Sequence, residues 1–350
     1  MDEILSLFER AAALDPTLRA SESDLPRLLA KQIHPEPYSR SRLFQKMADA
    51  EPVLFTGFEV PIAGLNGHDR VDAVASLFAN GFNDSDKARV QTGPSRKKGK
   101  MSVREVMKRW HRARGRIGVI DLHIRGTEVE KGLDITGLSD FNLLQRGSQD
   151  MAYQEMMTIV ICSANNVTDS HTDDPDGSNH CFTGTKLWLV WDTFEGTANG
   201  LQDTSREDIE GDQATFDMNT FLTIPSSRWW TVTAGQTHFL PGNMTHKVVT
   251  FERYLGIGSF YVSLPNAIAS LARWYTHGPN WSIENTENDG LVDDIARHIT
   301  LHVKKLTEAP EHEREHWGLP QLQRNVARFN DESLLKHAAF AELIETVRSI

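Results

Sequence analysis

Apolar residues recur at helical spacing at both ends of the chain and in β-type runs through its middle. Ile4, Leu5, Phe8, Ala11 and Ala12, then Leu25, Leu28 and Leu29, mark a helical lead-in over residues 1–50, punctuated by Asp15-Pro16 and by Pro35 and Pro37. From Pro52 the texture changes. Val53 to Thr56 and Phe58 to Val60 are β-type, and a polar stretch from Asn66 runs into the basic cluster Arg96 to Lys100, whose composition is that of a solvated loop. Ser102, with Glu105 at capping-box spacing, predicts a short helix to Trp110.

The β signal concentrates between residues 117 and 263, in Ile117 to Ile124, Met157 to Cys162, Lys186 to Trp191, Trp229 to Thr233, Thr237 to Leu240, His246 to Phe251 and Leu255 to Val262. Many short strands without helices between them predict a sandwich or barrel, not a parallel α/β sheet. Residues 193–217 are acidic and rich in Gly, Asp and Thr, which predicts a long surface insertion too polar to pack. After Pro265, Leu291, Val292, Ile295, Ile299, Val303 and Leu306 form one apolar stripe, and Leu334, Leu335, Ala338, Leu343, Ile344 and Val347 a second. The helices of this C-terminal region, 266–350, either cap the chain's own core or pair two subunits into a homodimer. Residues 51–265 between the two helical regions hold the β core.

Hydrophobic residues at 39% and charged residues at 24% are ordinary for a globular protein of 350 residues. A net charge of -11 argues against broad nucleic-acid binding and suits a basic peptide or simply solubility. Cys162 and Cys181 are too few for a disulfide framework or a zinc module. With no long apolar run and no basic, apolar leader, the expected location is the cytoplasm, or the nucleus in a eukaryote, with no membrane partner.

Candidate chemistry centres on His171-Thr-Asp173. Two residues apart in an extended segment, both side chains point one way, and a later His246 supplies a third ligand. Two imidazoles and a carboxylate suit Fe(II) with positions left open. His238 competes for the third-ligand role but lies inside an apolar strand before the turn at Pro241, whereas His246 opens the next β-type run, so His238 is expected to be a structural strand residue. Lys186 opens an apolar strand and shares a face with Trp188 and Val190; an ammonium pointing inward requires an anionic partner, whereas a place on the rim does not. Asp169, Asp174 and Asp176 fit a solvated acidic loop or an attraction for basic substrates.

Taken together, Thr168-x-x-His171-x-Asp173, Asn179, Gly184-x-Lys186-x-Trp188 and the block from Gly235 through Pro241 to His246 resemble the JmjC group of Fe(II)- and 2-oxoglutarate-dependent oxygenases, over roughly residues 100–265 and nearest its small hydroxylase branch. The resemblance implies a double-stranded β-helix, a jelly-roll of the cupin type, as a mainly β core with flanking helices. It implies Fe(II) held by His171, Asp173 and His246, and 2-oxoglutarate whose C5 carboxylate meets Lys186 and Thr168. Asn179 would lie near the co-substrate, and Ser259 near its C1 carboxylate or the oxygen. With O2, the implied reaction hydroxylates a C–H bond of a peptide or protein side chain or a small metabolite and releases succinate and CO2. Two other outcomes stay open: an N-methyl lysine or arginine demethylase, against which the absence of reader modules weighs, and a catalytically inactive cupin-like binding module. The insertion at 193–217 and the 66–100 segment do not map onto the family pattern.

Overall fold

A computed structural model describes residues 2–63, 70–83, 85–91, 98–112, 116–124, 126–134, 136–143, 157–173, 175–201, 216–277 and 290–350. Among these are thirteen strands: β1 (Glu36–Pro37), β2 (Val53–Thr56), β3 (Lys87–Gln91), β4 (Lys98–Ser102), β5 (Gly118–His123), β6 (Met157–Cys162), β7 (Asn166–Thr172), β8 (Asp176–Thr183), β9 (Lys186–Asp192), β10 (Arg228–Val232), β11 (Thr237–Leu240), β12 (Met244–Thr250) and β13 (Tyr254–Tyr261). They form a nine-stranded sheet in the order β1-β2-β11-β8-β13-β6-β5-β3-β4 and a four-stranded sheet in the order β10-β9-β12-β7. Pairing is antiparallel except between β1 and β2.

The two sheets face each other. Leu54, Val160, Cys162, Cys181, Leu240 and Tyr254 from the large sheet meet Trp188, Val190, Trp230, Val232, Met244 and Val248 from the small one in a single buried cluster. Alternation puts their strand neighbours on the outer faces. Behind the small sheet, Leu187, Leu189, Trp191, Trp229 and Val249 pack on Phe8, Ala11, Leu18 and Leu28 of the N-terminal lead-in. Behind the large sheet, Phe55, Ile159, Ile161, Leu255 and Ile257 join the largest cluster, with helix Arg40–Ala48, helix Val103–His111 and the C-terminal helices. Strands buried on both faces explain why Lys186 to Trp191 reads as an unbroken apolar run.

Helices are far more than flanks. The chain is mixed helix and strand, with the unpredicted helix Arg70–Asn80 and the expected helix Val103–His111 both preceding the central strands. The predicted cap at Ser102 forms, its Oγ accepting from the Glu105 N–H at 3.3 Å. Phe58 to Val60 is not a strand, and part of the basic cluster is: Lys98 to Lys100 lie in β4, while Arg96 and Lys97 fall outside the described residues.

The acidic insertion is not uniformly a surface loop either. It opens with helix Thr193–Ala198, capped by Asp192, and Leu201 and Phe216 are buried behind the small sheet; residues 202–215 lie outside the described residues. The two C-terminal apolar stripes meet within the chain. Val292, Ile295, Ile299 and Val303 of helix Leu291–Thr307 pack with Phe340, Leu343, Ile344 and Val347 of helix Ala338–Arg348, so these two stripes are buried within the chain. Among the described residues no helix is long and apolar enough to cross a membrane.

Candidate metal centre and the cavity behind it

β7 and β12 pair so that His171 stands directly opposite His246, and their ring centroids are 4.0 Å apart. Asp173 follows one residue past the end of β7, its Oδ2 3.7 Å from His246 Nε2. One ligand atom from each of the three residues lies within 4.8 Å of the others, so the group can hold a metal ion. Backbone contacts choose which nitrogen faces it. His171 Nδ1 is 2.8 Å from the carbonyl of Asp169 and His246 Nδ1 is 3.2 Å from that of Met244. A carbonyl only accepts, so each Nδ1 carries the proton and each Nε2 presents a lone pair. Burial first, and the neighbouring His171 second, hold His246 well below the ordinary histidine value, in the neutral form that metal binding requires. Asp173 remains partly exposed, which leaves the triad open on one side.

The triad forms one end of a cavity between the sheets. It is lined by Thr158, Thr168, Asn179, Lys186, Trp188, His238, Val248 and Gly258 as well as by the three ligands. Lys186 sits at the far end, 3% exposed, with Nζ 4.2 Å from the centre of the Tyr254 ring. No ion pair to it occurs among the described residues, and Asp173, at the triad end, is the one acid in the cavity lining. The ammonium therefore points inward and is not on a rim. Thr168 lines the same cavity from β7, and Asn179 from β8 with its Oδ1 accepting from the Tyr254 hydroxyl.

Ser259 borders the cavity but differs from the others. It shares a strand face with Leu255, Ile257 and Tyr261, which belong to the outer cluster, and its Oγ contacts the carbonyl of Phe260 at 3.4 Å. Gly258 is the residue of β13 that faces inward here, and a Cβ on it would lie 2.6 Å from the Ser178 carbonyl.

Two of the acidic residues around the triad, Asp176 and Asp169, make structural contacts. Asp176 is buried and accepts from Gly242 N–H, Asn266 Nδ2 and Ser263 Oγ at 2.8, 2.6 and 2.8 Å, which pins the β11–β12 turn to β8. Burial pushes its carboxyl above the ordinary range in spite of those donors. Asp169 pairs with Lys247 at 3.5 Å, and Lys247 reaches Asp15 at 2.7 Å. Asp174 lies outside the described residues.

Two features escaped the sequence pattern. One is the Asp15–Lys247–Asp169 chain behind the ligand strands. The other is His238, whose ring lies on the cavity wall and is held neutral: burial, then the charge of Lys186, brings its pKa down to about 3. The available signal was parity, since alternation puts His238 with Leu240 on one face of β11 and Phe239 on the other.

No protein-family model matches the chain, and no curated protein sequence matches it.

Proposed function

We propose that this chain is an Fe(II)- and 2-oxoglutarate-dependent dioxygenase of the JmjC type, built on a double-stranded β-helix, which hydroxylates a C–H bond of a peptide or protein side chain or of a small metabolite. One observation carries the proposal: an open His-Asp-His triad and a buried lysine with no ion-pair partner among the described residues line the same cavity. Neutral Nε2 donors with one carboxylate match the ligand set of non-haem Fe(II) oxygenases. Two facing antiparallel sheets with the cavity between them are what a jelly-roll core requires.

When bound, Fe(II), 2-oxoglutarate and O2 supply oxidation of a C–H bond coupled to decarboxylation to succinate and CO2. The chain's own part is positional. His171, Asp173 and His246 hold the metal with one side free. Lys186 neutralises a carboxylate at the far end of the cavity, with the Thr168 hydroxyl and the Asn179 amide able to hydrogen-bond to the same molecule. Trp188, Val160, Leu240 and Val248 keep water from the interior, which strengthens each of these electrostatic contacts.

The test is anaerobic loading with Fe(II), followed by succinate formation from 2-oxoglutarate on exposure to O2. The expected result is succinate release by the wild-type protein and its loss in His246→Ala. Formaldehyde release from methylated peptides would redirect the proposal to a demethylase. Protein that takes up no iron and makes no succinate with any substrate pool would make it a binding module.

A further inference from the structure

β11 brings to the cavity wall a histidine that the metal triad does not use. Phe239 points to the outer cluster, which leaves His238 and Leu240 facing inward. The His238 ring is wedged against two indoles, 4.3 Å from the centroid of Trp188 and 5.6 Å from that of Trp230. Those indoles are parallel, 6.2 Å apart. The imidazole is 2% exposed, and its Nδ1 has no hydrogen-bond partner among the described protein groups. Nor does Nε1 of Trp188, which lines the same cavity.

An orphaned buried polar atom costs about 1–3 kcal/mol, a cost that a leucine or phenylalanine at position 238 would avoid. The arrangement makes chemical sense when its partner is a ligand. Lys186, His238 and Trp188 form a group of N–H donors, and among the described lining residues the one carboxylate is that of Asp173, which belongs to the triad. Such a group selects a ligand that only accepts hydrogen bonds. A carboxylate does so through about four lone-pair positions. Lysine contributes charge but little direction. An imidazole N–H packed against the Trp188 and Trp230 rings contributes direction.

We infer that His238 is a positioning residue for the dicarboxylate co-substrate, donating through Nδ1–H to the same carboxylate that Lys186 neutralises, with the Trp188 indole N–H as a further donor. The inference rests on the proposed reading of the cavity as a 2-oxoglutarate site, and it adds a residue that sets the preference for a second carboxylate over an uncharged chain end.

Calorimetric titration of 2-oxoglutarate into the full-length protein loaded with Zn(II), which does not turn over, separates the two. In His238→Leu the dissociation constant for 2-oxoglutarate should rise about ten- to a hundredfold, the range of a hydrogen bond to a charged group. His238→Gln, which retains a donor, should stay within about threefold of wild type, and Zn(II) affinity should be unchanged in both. The preference for 2-oxoglutarate over 2-oxopentanoate, which lacks the second carboxylate, should narrow in His238→Leu. Wild-type affinity for 2-oxoglutarate in His238→Leu overturns the assignment and leaves the proposed function standing. A wild-type protein that binds Zn(II) but no 2-oxoglutarate overturns both. Should the leucine variant fail to fold, the His238 Nδ1–H resonance of the Zn(II)-loaded wild type decides: it should shift when 2-oxoglutarate is added, and an unmoved resonance rejects the assignment.

Discussion

Lys186 is buried with its charge facing a cavity, and a side chain in that position declares itself when removed. Lys186→Ala should weaken 2-oxoglutarate binding by about thirtyfold or more, because truncating one partner of a buried charge pair costs 2 kcal/mol or above. Metal affinity should not change, since the three ligands lie at the other end of the cavity. Parallel titrations with metal alone and with co-substrate check both halves.

Asp15 makes a different kind of contribution. Burial raises its pKa, but the charge of Lys247 and hydrogen bonds from Lys247 and Thr17 outweigh burial and leave it below the ordinary carboxylate value. A depressed carboxylate stabilises the fold fully above the unfolded-state pKa, near 4, and that contribution is lost as pH falls through the lower folded value. Asp15→Asn should therefore cost about 1–2 kcal/mol at neutral pH, less than breaking a fully buried pair because Asp15 is partly exposed and Asp169 stays beside Lys247. The difference between variant and wild type should shrink as the pH drops below about 4, read from denaturant midpoints across pH.

At the scale of elements, the turn from β8 into β9 aims Lys186. Gly184 sits at φ 95°, and a Cβ there would lie 2.4 Å from the Arg253 carbonyl. Gly184→Ala should cost about 2 kcal/mol or more through left-handed strain and the backbone clash together, seen as a lowered Tm. It should also weaken 2-oxoglutarate binding by shifting the start of β9.

The apolar strands β6, β9, β10, β11 and β13 were readable from sequence because most of their residues are β-branched, aromatic or leucine. β7 and β8 were not. Asn166 to Thr172 and Asp176 to Thr183 are rich in Asn, Asp, Ser, His and Thr, which local pattern assigns to turns. Their polarity is that of a cavity wall, so composition hid the very strands that carry His171 and Asn179. Alternation placed His171 with Asp173 and Lys186 with Trp188 and Val190, but it left open whether Lys186 points inward or lies on a rim. The role of Asp169 and Asp176 needed tertiary contacts between strands far apart in sequence, and His238 needed the knowledge that β11 borders the cavity.

Over the whole molecule the layers divide labour. The N-terminal lead-in covers the back of the small sheet, with Trp229 Nε1 donating to the Leu28 carbonyl at 2.8 Å, and the C-terminal helices cover the large sheet. Ile344, buried between helix Ala338–Arg348 and its neighbours, is remote from the cavity lining. Ile344→Ala should cost about 2–5 kcal/mol of stability while metal and 2-oxoglutarate affinities of the folded protein remain unchanged. A denaturation curve beside the two titrations tests this separation of scaffold from site.

The direct opposition of His171 and His246 across β7 and β12 has a consequence for how the small sheet is assembled. A slip of one residue would turn His246 away and bring Lys247 to face His171, replacing a lone pair with a repelling cation. A metal held by the triad would thus proofread strand register, since only the correctly laddered pair could be riveted. Loading with Zn(II) should slow amide hydrogen exchange along β7 and β12 more than along the distant β3 and β4, because the riveted strands can open only by first releasing the ion.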